Sequence, residues 1–303
     1  MELWVSGFNA WGQLDFSEEE KEGLDSRDLK TFKCKLKDKH IEILRTSFSA
    51  TLRRSSHNLL TTGTSDGLIS HCLALQDSFP TLAQAGNEQL VKFSDFPSTS
   101  LTNFSSLGAL QSSNGTDLKL PEELQQIVAN QTTFTALSKE GGRVYTWGDG
   151  RYPNCLGREV SDEYPANMPC IVDDLAELPG GEIRKVSSGG YVTAALTEDN
   201  DLYVWGGRAG QKAVLDGLGG SPMPTDLDGD DVWDVAVGMN HILAVTMDRR
   251  LFVVGDNGNG QLGLDVQELD SWVEVKLPLK EGNHIVGVHA GYKNSFVLVA
   301  KAS

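Results

Sequence analysis

The chain has few of the features that mark secreted, membrane or metal-binding proteins. Its 303 residues include four cysteines, which show no CxxC spacing and no companion histidines, so neither a zinc site nor a disulfide framework is predicted. It has no run of about eighteen apolar residues, and the N-terminus reads as a strand rather than a charged and then apolar leader. We therefore expect an intracellular protein, in the nucleus, the cytoplasm or both, without membrane contact.

Basic residues are also scarce. Lysine and arginine total 26 against 42 aspartates and glutamates, which gives a formal net charge of −16. Such a balance argues against a surface that neutralises nucleic-acid phosphates, so no nucleic-acid binding is expected. The acidic excess favours a basic protein partner, or it serves solubility alone. Acidic residues concentrate in two connections, near 18–28 and 226–234.

The sustained 3.6-residue periodicity of a long helix is missing, and a different pattern takes its place. An apolar run that ends in a glycine recurs along the chain. The copies are Leu3–Gly7, Leu59–Gly63, Val144–Gly148, Leu202–Gly206 and Leu251–Gly255. A repeat of this kind predicts an array of like units, whose function resides on a surface that many units build together. An enzyme is therefore not expected.

A second apolar phrase precedes most copies at a nearly constant distance. It ends ten or eleven residues before the glycine in four cases, a spacing that fits two strands joined by a tight turn. The segments that we align without gaps are 44–52, 129–137, 188–196, 237–245 and 290–298, and 85–93 fills the remaining interval.

The last residues of these phrases are 41 to 59 residues apart, including the interval that runs from 298 through the C-terminus to 52. We therefore predict an all-β fold, a single β-propeller over 1–303 with six blades of four antiparallel strands. Seven blades remain the alternative count. The N-terminal strand is predicted to join the C-terminal strands in one blade, which closes the ring. We expect long connections near 15–40 and 208–231, and degenerate blades between about 41 and 126.

The residues around the glycines resemble a known family. Gly255–Gly263 reads GDNGNGQLG, Gly7–Leu14 reads GFNAWGQL, and Val237–Val245 reads VGMNHILAV. These segments are similar to the WG-x-N-x-x-GQLG and G-x-x-H-x-x-AL segments of the regulator of chromosome condensation repeat family, and the resemblance covers about 1–14 and 127–303. It implies a propeller scaffold. Family members include an exchange factor for a small nuclear GTPase, a light receptor, an enzyme inhibitor and partners of chromatin-modifying enzymes.

The repeat residues are expected to build the blades rather than to carry the function. Glycines permit turns that are closed to other residues, asparagine bonds to nearby backbone, tryptophans pack between blades, and the repeat histidine satisfies backbone groups. This structural set is Gly7, Gly12, Trp147, Gly148, Trp205, Gly206, His241, Gly255, Asn257 and Gly260.

Function is expected in the loops that precede the inner strands, because these loops converge at one end of the central channel. The candidate partner-binding residues are Arg45, Asn87, Glu88, Gln131, Tyr191, Met239, Asn240, Tyr292 and Lys293. Tyrosine and methionine are enriched at interface cores, which favours Tyr191, Met239 and Tyr292.

The sequence thus predicts a monomeric, non-enzymatic protein-interaction scaffold without cofactor, metal or small-molecule substrate. The resemblance suggests a chromatin-modifying enzyme or another nuclear protein as the partner. The alternative function is that of a guanine nucleotide exchange factor for a small nuclear GTPase.

Two further patterns allow both a functional and a structural interpretation. Gly63–Gly67 fits the G-x-S-x-G pattern of a hydrolase nucleophile, but Gly63 belongs to the repeat, so a turn is the preferred interpretation. Lysines alternate with other residues at 33, 35, 37 and 39, which predicts a lysine-faced strand. That face is either a charged sheet edge or an acid-binding or nuclear-import patch.

Overall fold

The computed structural model describes residues 1–16, 26–56, 58–75, 82–93 and 98–302. The acidic cluster predicted in the first connection falls mostly at 18–25, outside the described residues. The chain forms two compact units. Unit 1 is Met1–Phe79, Val214–Asp216 and Leu227–Ser303, and unit 2 is Pro80–Ala213 and Gly217–Asp226.

Strands make up nearly all of the regular structure. Unit 1 begins with β1 Glu2–Gly7, β2 Leu29–Lys37, β3 Ile41–Thr46, β4 Ala50–Ser55 and β5 Asn58–Gly63. Unit 2 has β6 Leu82–Gln84, β7 Leu90–Phe93, β8 Ser98–Phe104, β9 Thr116–Ala129, β10 Thr133–Ser138, β11 Val144–Gly148, β12 Cys170–Ile171, β13 Ile183–Gly189, β14 Val192–Thr197, β15 Leu202–Gly206 and β16 Met223–Thr225. Unit 1 resumes with β17 Val232–Val237, β18 His241–Thr246, β19 Leu251–Asp256, β20 Glu268–Val275, β21 Asn283–Ala290 and β22 Asn294–Lys301. Two short helices, α1 Gly67–Leu75 and α2 Leu107–Gln111, interrupt the strands.

Unit 1 contains three antiparallel sheets. Sheet 1 has the order β2-β1-β22-β21, sheet 2 the order β3-β4-β5, and sheet 5 the order β17-β18-β19-β20. In sheet 1 the first strand pairs with the last, with Leu3 opposite Leu298 and Gly7 opposite Asn294. The two halves of this sheet therefore come from opposite ends of the sequence.

Unit 2 contains two sheets, and one is larger than predicted. Sheet 4 has the order β13-β14-β15-β16, whereas sheet 3 has seven strands from β12 to β6. The long strand β9 causes this merger, because residues 116–119 pair with β8 while residues 124–129 pair with β10. The described residues thus form five sheets, not six separate sheets of four strands.

Both predicted long connections contain a strand. The stretch 15–40 includes β2 and the stretch 208–231 includes β16. Strand β2 is the edge strand of sheet 1, where Lys33 and Lys37 are exposed and Phe32 is buried. The lysine alternation therefore lies on a sheet edge, where charged side chains discourage pairing with another chain.

One of the predicted strand alignments is shifted. In four sheets the residue opposite the repeat glycine is the predicted one: Thr133, Val192, His241 and Asn294 lie opposite Gly148, Gly206, Gly255 and Gly7. In sheet 2, Gly63 lies opposite Ala50 rather than Phe48. A slip by two residues keeps the same side chains on the same face of a strand, so apolar alternation could not detect it.

The apolar cores of each unit are formed by side chains from neighbouring sheets. In unit 1, Val5 and Phe296 of sheet 1 pack with Ile41 of sheet 2. In unit 2, Trp205 of sheet 4 is fully buried with Leu137 and Val144 of sheet 3. Trp147 is buried as well and stacks on Phe134, with ring centroids 5.6 Å apart. These contacts hold the sheet ends that carry the candidate site.

Candidate protein-binding turns

The repeat glycines are required by a close backbone approach. At Gly206, φ is +126° and a Cβ atom would lie 2.1 Å from the carbonyl oxygen of Tyr191. No other residue type fits both conditions, because a real Cβ never approaches an oxygen so closely. The same approach recurs at four more glycines, with distances of 2.2 to 2.4 Å, namely Gly7, Gly63, Gly148 and Gly255.

This approach places a hydrogen bond between each glycine segment and the turn beside it. In sheet 4 the Gly207 N–H donates to the Tyr191 carbonyl at 2.7 Å. Equivalent bonds of 2.8 to 3.0 Å run from Phe8 to Lys293, Thr64 to Ser49, Asp149 to Thr132 and Asp256 to Asn240. At one end of each of the five sheets, the turn before the inner strand is therefore hydrogen-bonded to the segment after the glycine. We call this shared arrangement the backbone frame.

The repeat asparagine fixes the loop that follows the glycine. Asn257 Oδ1 accepts from the Leu262 N–H at 2.7 Å, and its Nδ2 donates to the Val266 carbonyl at 2.6 Å. In the first copy of the motif, Asn9 Oδ1 accepts from the Leu14 N–H at 2.8 Å. The side chain thus supplies backbone partners inside the loop.

His241 is buried in unit 1 and bonds within the fold. Its Nε2 lies 3.0 Å from Ser295 Oγ, which donates to the Gln261 carbonyl at 2.6 Å. Since the serine proton is used on that carbonyl, the histidine Nε2 is the donor to Oγ. Burial lowers the pKa of His241 to about 4, so the ring is neutral at physiological pH.

The turns of unit 1 contact one another. The Met239 N–H, in the turn between β17 and β18, donates to the Tyr292 carbonyl in the turn between β21 and β22 at 3.2 Å. The Tyr292 ring meets Phe48, in the turn between β3 and β4, edge to face with centroids 5.2 Å apart. Three sheets therefore contribute to one surface.

The turns of unit 2 are joined in the same way. Gly86 donates to the Asn130 carbonyl at 3.2 Å, and Gln131 donates to the Gly190 carbonyl at 2.8 Å. These bonds connect the turns that precede β7, β10 and β14. Asn87 and Glu88 are exposed in the first of these turns.

Eight of the nine candidate binding residues lie in these turns, and Arg45 does not. Arg45 belongs to β3, where it is paired with Leu52, and burial of its guanidinium lowers its pKa. The misplacement follows from the shifted alignment of 44–52. The exposed residue of that turn is Phe48, at 46% exposure.

An aromatic cluster, defined as Phe8, Phe48 and Tyr292, forms the surface of unit 1 at these turns. The Phe8 and Phe48 rings lie 5.0 Å apart between centroids. Gln13, in the loop after β1, is bonded to this cluster because its Nε2 donates to the Phe48 carbonyl at 3.1 Å. Its Oε1 accepts from the N–H of Trp11, which is 45% exposed.

An arginine–tyrosine cluster, defined as Tyr152, Tyr191 and Arg208, forms the corresponding surface of unit 2. The two tyrosine rings stack with centroids 5.6 Å apart, and the guanidinium of Arg208 lies 5.4 Å from the Tyr191 ring centroid. Arg208 also donates to the Tyr191 hydroxyl at 3.2 Å. Arg151 stands over Tyr152, but it forms a salt bridge with Asp149 at 2.6 Å.

Sequence reasoning found Tyr191 and Tyr292 but missed their neighbours. Phe8, Tyr152 and Arg208 follow the repeat glycines, and the candidate set contained only residues from the turns. The strand that ends in the repeat glycine finishes beside the turn that precedes the inner strand. The residues after each glycine therefore share the surface of that turn. Adding them would have completed the arginine–tyrosine cluster, whereas the aromatic cluster also needed the corrected register that places Phe48 in its turn.

Ser65 of the G-x-S-x-G pattern follows β5 and precedes α1, so its context is strand, turn and helix rather than a plain repeat turn. Asp66 Oδ1 accepts from the Ile69 N–H at 2.8 Å, which caps the helix. In the described part of the chain no hydrogen bond joins Ser65 to a histidine. The catalytic arrangement that the motif requires is therefore not assembled there.

Neither a metal-ligand cluster nor a membrane-spanning helix is found in the described ranges. There, no three histidine, cysteine, aspartate or glutamate side chains gather as a metal site would require. Within those same ranges no helix is long and apolar enough to cross a membrane.

Solved structures share this architecture over nearly the whole chain. The crystal structure of human WBSCR16 aligns with a TM-score of 0.63 at 15% identity, over 99% of each chain. The structure of Prp20p from Saccharomyces cerevisiae, described with its binding properties to Gsp1p and histones, aligns with a TM-score of 0.65 at 14% identity, over 100% of this chain and 92% of that one. The fold is an all-β propeller of this type.

Sequence comparisons match the repeat family that the motifs resemble. Residues 183–207 match the family model of the regulator of chromosome condensation (RCC1) repeat. The chain is 35% identical over 143 residues to the RCC1 domain-containing protein RUG3, mitochondrial, of Arabidopsis thaliana, and 32% identical over 160 residues to the E3 ubiquitin-protein ligase HERC2 of Mus musculus. The chain thus carries a match to the repeat of this family, in agreement with the predicted resemblance. These matches cover 45% and 52% of this chain but only 31% and 3% of the relatives.

Proposed function

We propose that this chain is a non-enzymatic scaffold that binds partner proteins through the turns described above. The observation that carries the proposal is the turn surface itself, where neighbouring sheets are joined by backbone hydrogen bonds and present aromatic side chains to solvent. Tyrosine and arginine are the residue types that contribute most to protein interfaces. A surface fixed in this way loses little conformational entropy on binding.

The wider proposal includes six blades, a closed ring and a nuclear partner such as a chromatin-modifying enzyme. The pairing of β1 with β22 supports closure. Splitting sheet 3 within β9 would give six blade-like groups of three or four strands. The reported binding of Prp20p to Gsp1p and histones supports a protein partner for a scaffold of this fold.

Affinity capture from a nuclear extract, followed by mass spectrometry, tests the function. The wild-type chain is expected to retain a stable stoichiometric partner, and Tyr191→Ala/Arg208→Ala or Phe48→Ala/Tyr292→Ala is expected to lose it. Met247→Ala is the matched control, since Met247 is 43% exposed in the turn between β18 and β19, at the other end of those strands. Equal capture by all variants would remove the proposal.

The exchange-factor alternative is separated by a nucleotide-release assay with small nuclear GTPases. A scaffold leaves the rate of nucleotide release unchanged. Accelerated release at substoichiometric amounts of this chain would establish the alternative instead.

A further inference from the structure

The connection between β11 and β12 has three exposed large apolar side chains. Val160, Tyr164 and Met168 are 44%, 49% and 48% exposed, and all three belong to unit 2. No other described connection exposes three large apolar side chains. Apolar groups that remain exposed together are typical of interaction sites.

The guanidinium of Arg158 bonds to several backbone carbonyls of this connection. Arg158 donates to backbone carbonyls on both sides of the loop, at 3.0 Å to Tyr164, 3.0 Å to Pro165 and 3.2 Å to Thr146 of β11. It also reaches the Met168 carbonyl at 3.3 Å. The apolar side chains are therefore presented by an ordered backbone, which lowers the entropic cost of binding.

The connection borders a pocket with acidic walls. The pocket has a volume of about 450 Å³, and Tyr164, Ile171, Glu159, Asp173 and Asp174 line it together with Gly157, Arg158 and Ser221. Between 157 and 178 the sequence has six acidic residues and one basic residue, Arg158. The charge of Glu163 raises the pKa of the Tyr164 phenol, as a negative local field does.

We propose that residues 157–174 bind a partner-protein segment in which a lysine or arginine stands beside an apolar side chain. The cation enters the pocket toward Asp173 and Asp174, and the apolar side chain packs on Tyr164 and Met168. Charge complementarity selects this occupant, because an acidic segment is repelled by the same carboxylates. The residues 157–174 include no member of the two turn clusters, so either proposal stands without the other.

The test uses the full chain and a fluorescein-labelled ten-residue peptide of alternating lysine and leucine, followed by fluorescence anisotropy at low salt. Tyr164→Ala/Met168→Ala is expected to weaken binding about thirtyfold. Asp173→Asn/Asp174→Asn is expected to weaken it about fivefold, as removal of two exposed charges does. The control Glu198→Gln/Asp199→Asn removes the same charge from an exposed turn of unit 2 and is expected to change binding less than twofold. Thermal unfolding confirms that each variant folds.

Four results would overturn the proposal. Equal weakening by both charge-neutralising variants would mean that the peptide responds only to the net charge of the chain. Equal binding of a glutamate–leucine peptide would exclude charge selection. Self-association in sedimentation that Tyr164→Ala/Met168→Ala abolishes would make a second copy the occupant. Loss of peptide binding in Tyr191→Ala/Arg208→Ala alone would assign the peptide to the turn surface.

Discussion

The two turn clusters have the same backbone frame but different side-chain chemistry. In unit 1 the frame carries Phe8, Phe48 and Tyr292, which are uncharged, whereas in unit 2 it carries two stacked tyrosines under Arg208. In both units the glycine segment donates to the turn carbonyl at nearly the same distance. The frame is therefore common to the five sheets, and under the proposed function the side chains that it carries would select the partner.

The largest effect is expected where the frame itself is broken. Gly206→Ala places a Cβ against the Tyr191 carbonyl at a positive φ, so unfolding free energy in urea should fall by about 3 kcal/mol or more. Gly255→Ala should cause a similar loss in unit 1. Gly219 has open space and no positive φ, so Gly219→Ala is the control and should change stability by less than about 0.5 kcal/mol. A small loss of unfolding free energy in Gly206→Ala would mean that the backbone frame can move to accommodate the Cβ atom.

A pH-dependent effect of similar size is expected from His241 of unit 1. The folded pKa of His241, about 4, lies below its ordinary value of 6.5, so folding favours the neutral ring. The contribution is complete above pH 6.5, decreases as the pH falls and is lost by about pH 4, for a total of about 3 kcal/mol.

Asn294 occupies the same register position in sheet 1 that His241 occupies in sheet 5, which makes His241→Asn the matched variant. The urea midpoint of the wild type should fall more steeply than that of the variant between pH 6.5 and 4. Parallel curves would show that His241 has the same pKa in the folded and unfolded states, which would contradict the effect of burial.

A third prediction distinguishes the two clusters by how partner binding depends on salt concentration. Partner binding through the arginine–tyrosine cluster should weaken with ionic strength, whereas binding through the aromatic cluster should not. Either double variant should lower affinity about thirtyfold or more in calorimetry, but only Tyr191→Ala/Arg208→Ala should also flatten the salt dependence. The same salt slope in both variants would remove the distinction between the clusters.

Much of this arrangement could be predicted from the sequence. The glycine phrase and its upstream partner gave the correct register at Gly148, Gly206 and Gly255, because a hairpin fixes the distance between its strands. At 44–52 the same reasoning predicted a strand register that differs from the observed one by two residues. The candidate set consequently included Arg45 and omitted Phe48.

The other errors concern contacts that no short-range pattern encodes. Sheet 3 has seven strands because β9 pairs with both β8 and β10, for example with Leu118 opposite Leu101 and Val128 opposite Thr135. The stack of Tyr152 on Tyr191 joins residues 39 positions apart, which periodicity within a strand cannot reveal. Proximity at a sheet end, rather than repetition, determines the candidate site.

Hydrogen exchange measured by mass spectrometry on the chain with its captured partner tests the central claim most directly. Our account predicts that the partner slows exchange in peptides that contain the turns at 47–49, 190–191, 239–240 and 291–293. Peptides that contain the turns at 139–142, 198–201 and 247–250, at the opposite ends of the strands, should exchange unchanged. Protection confined to those opposite turns would contradict the assignment of binding to the turn surface.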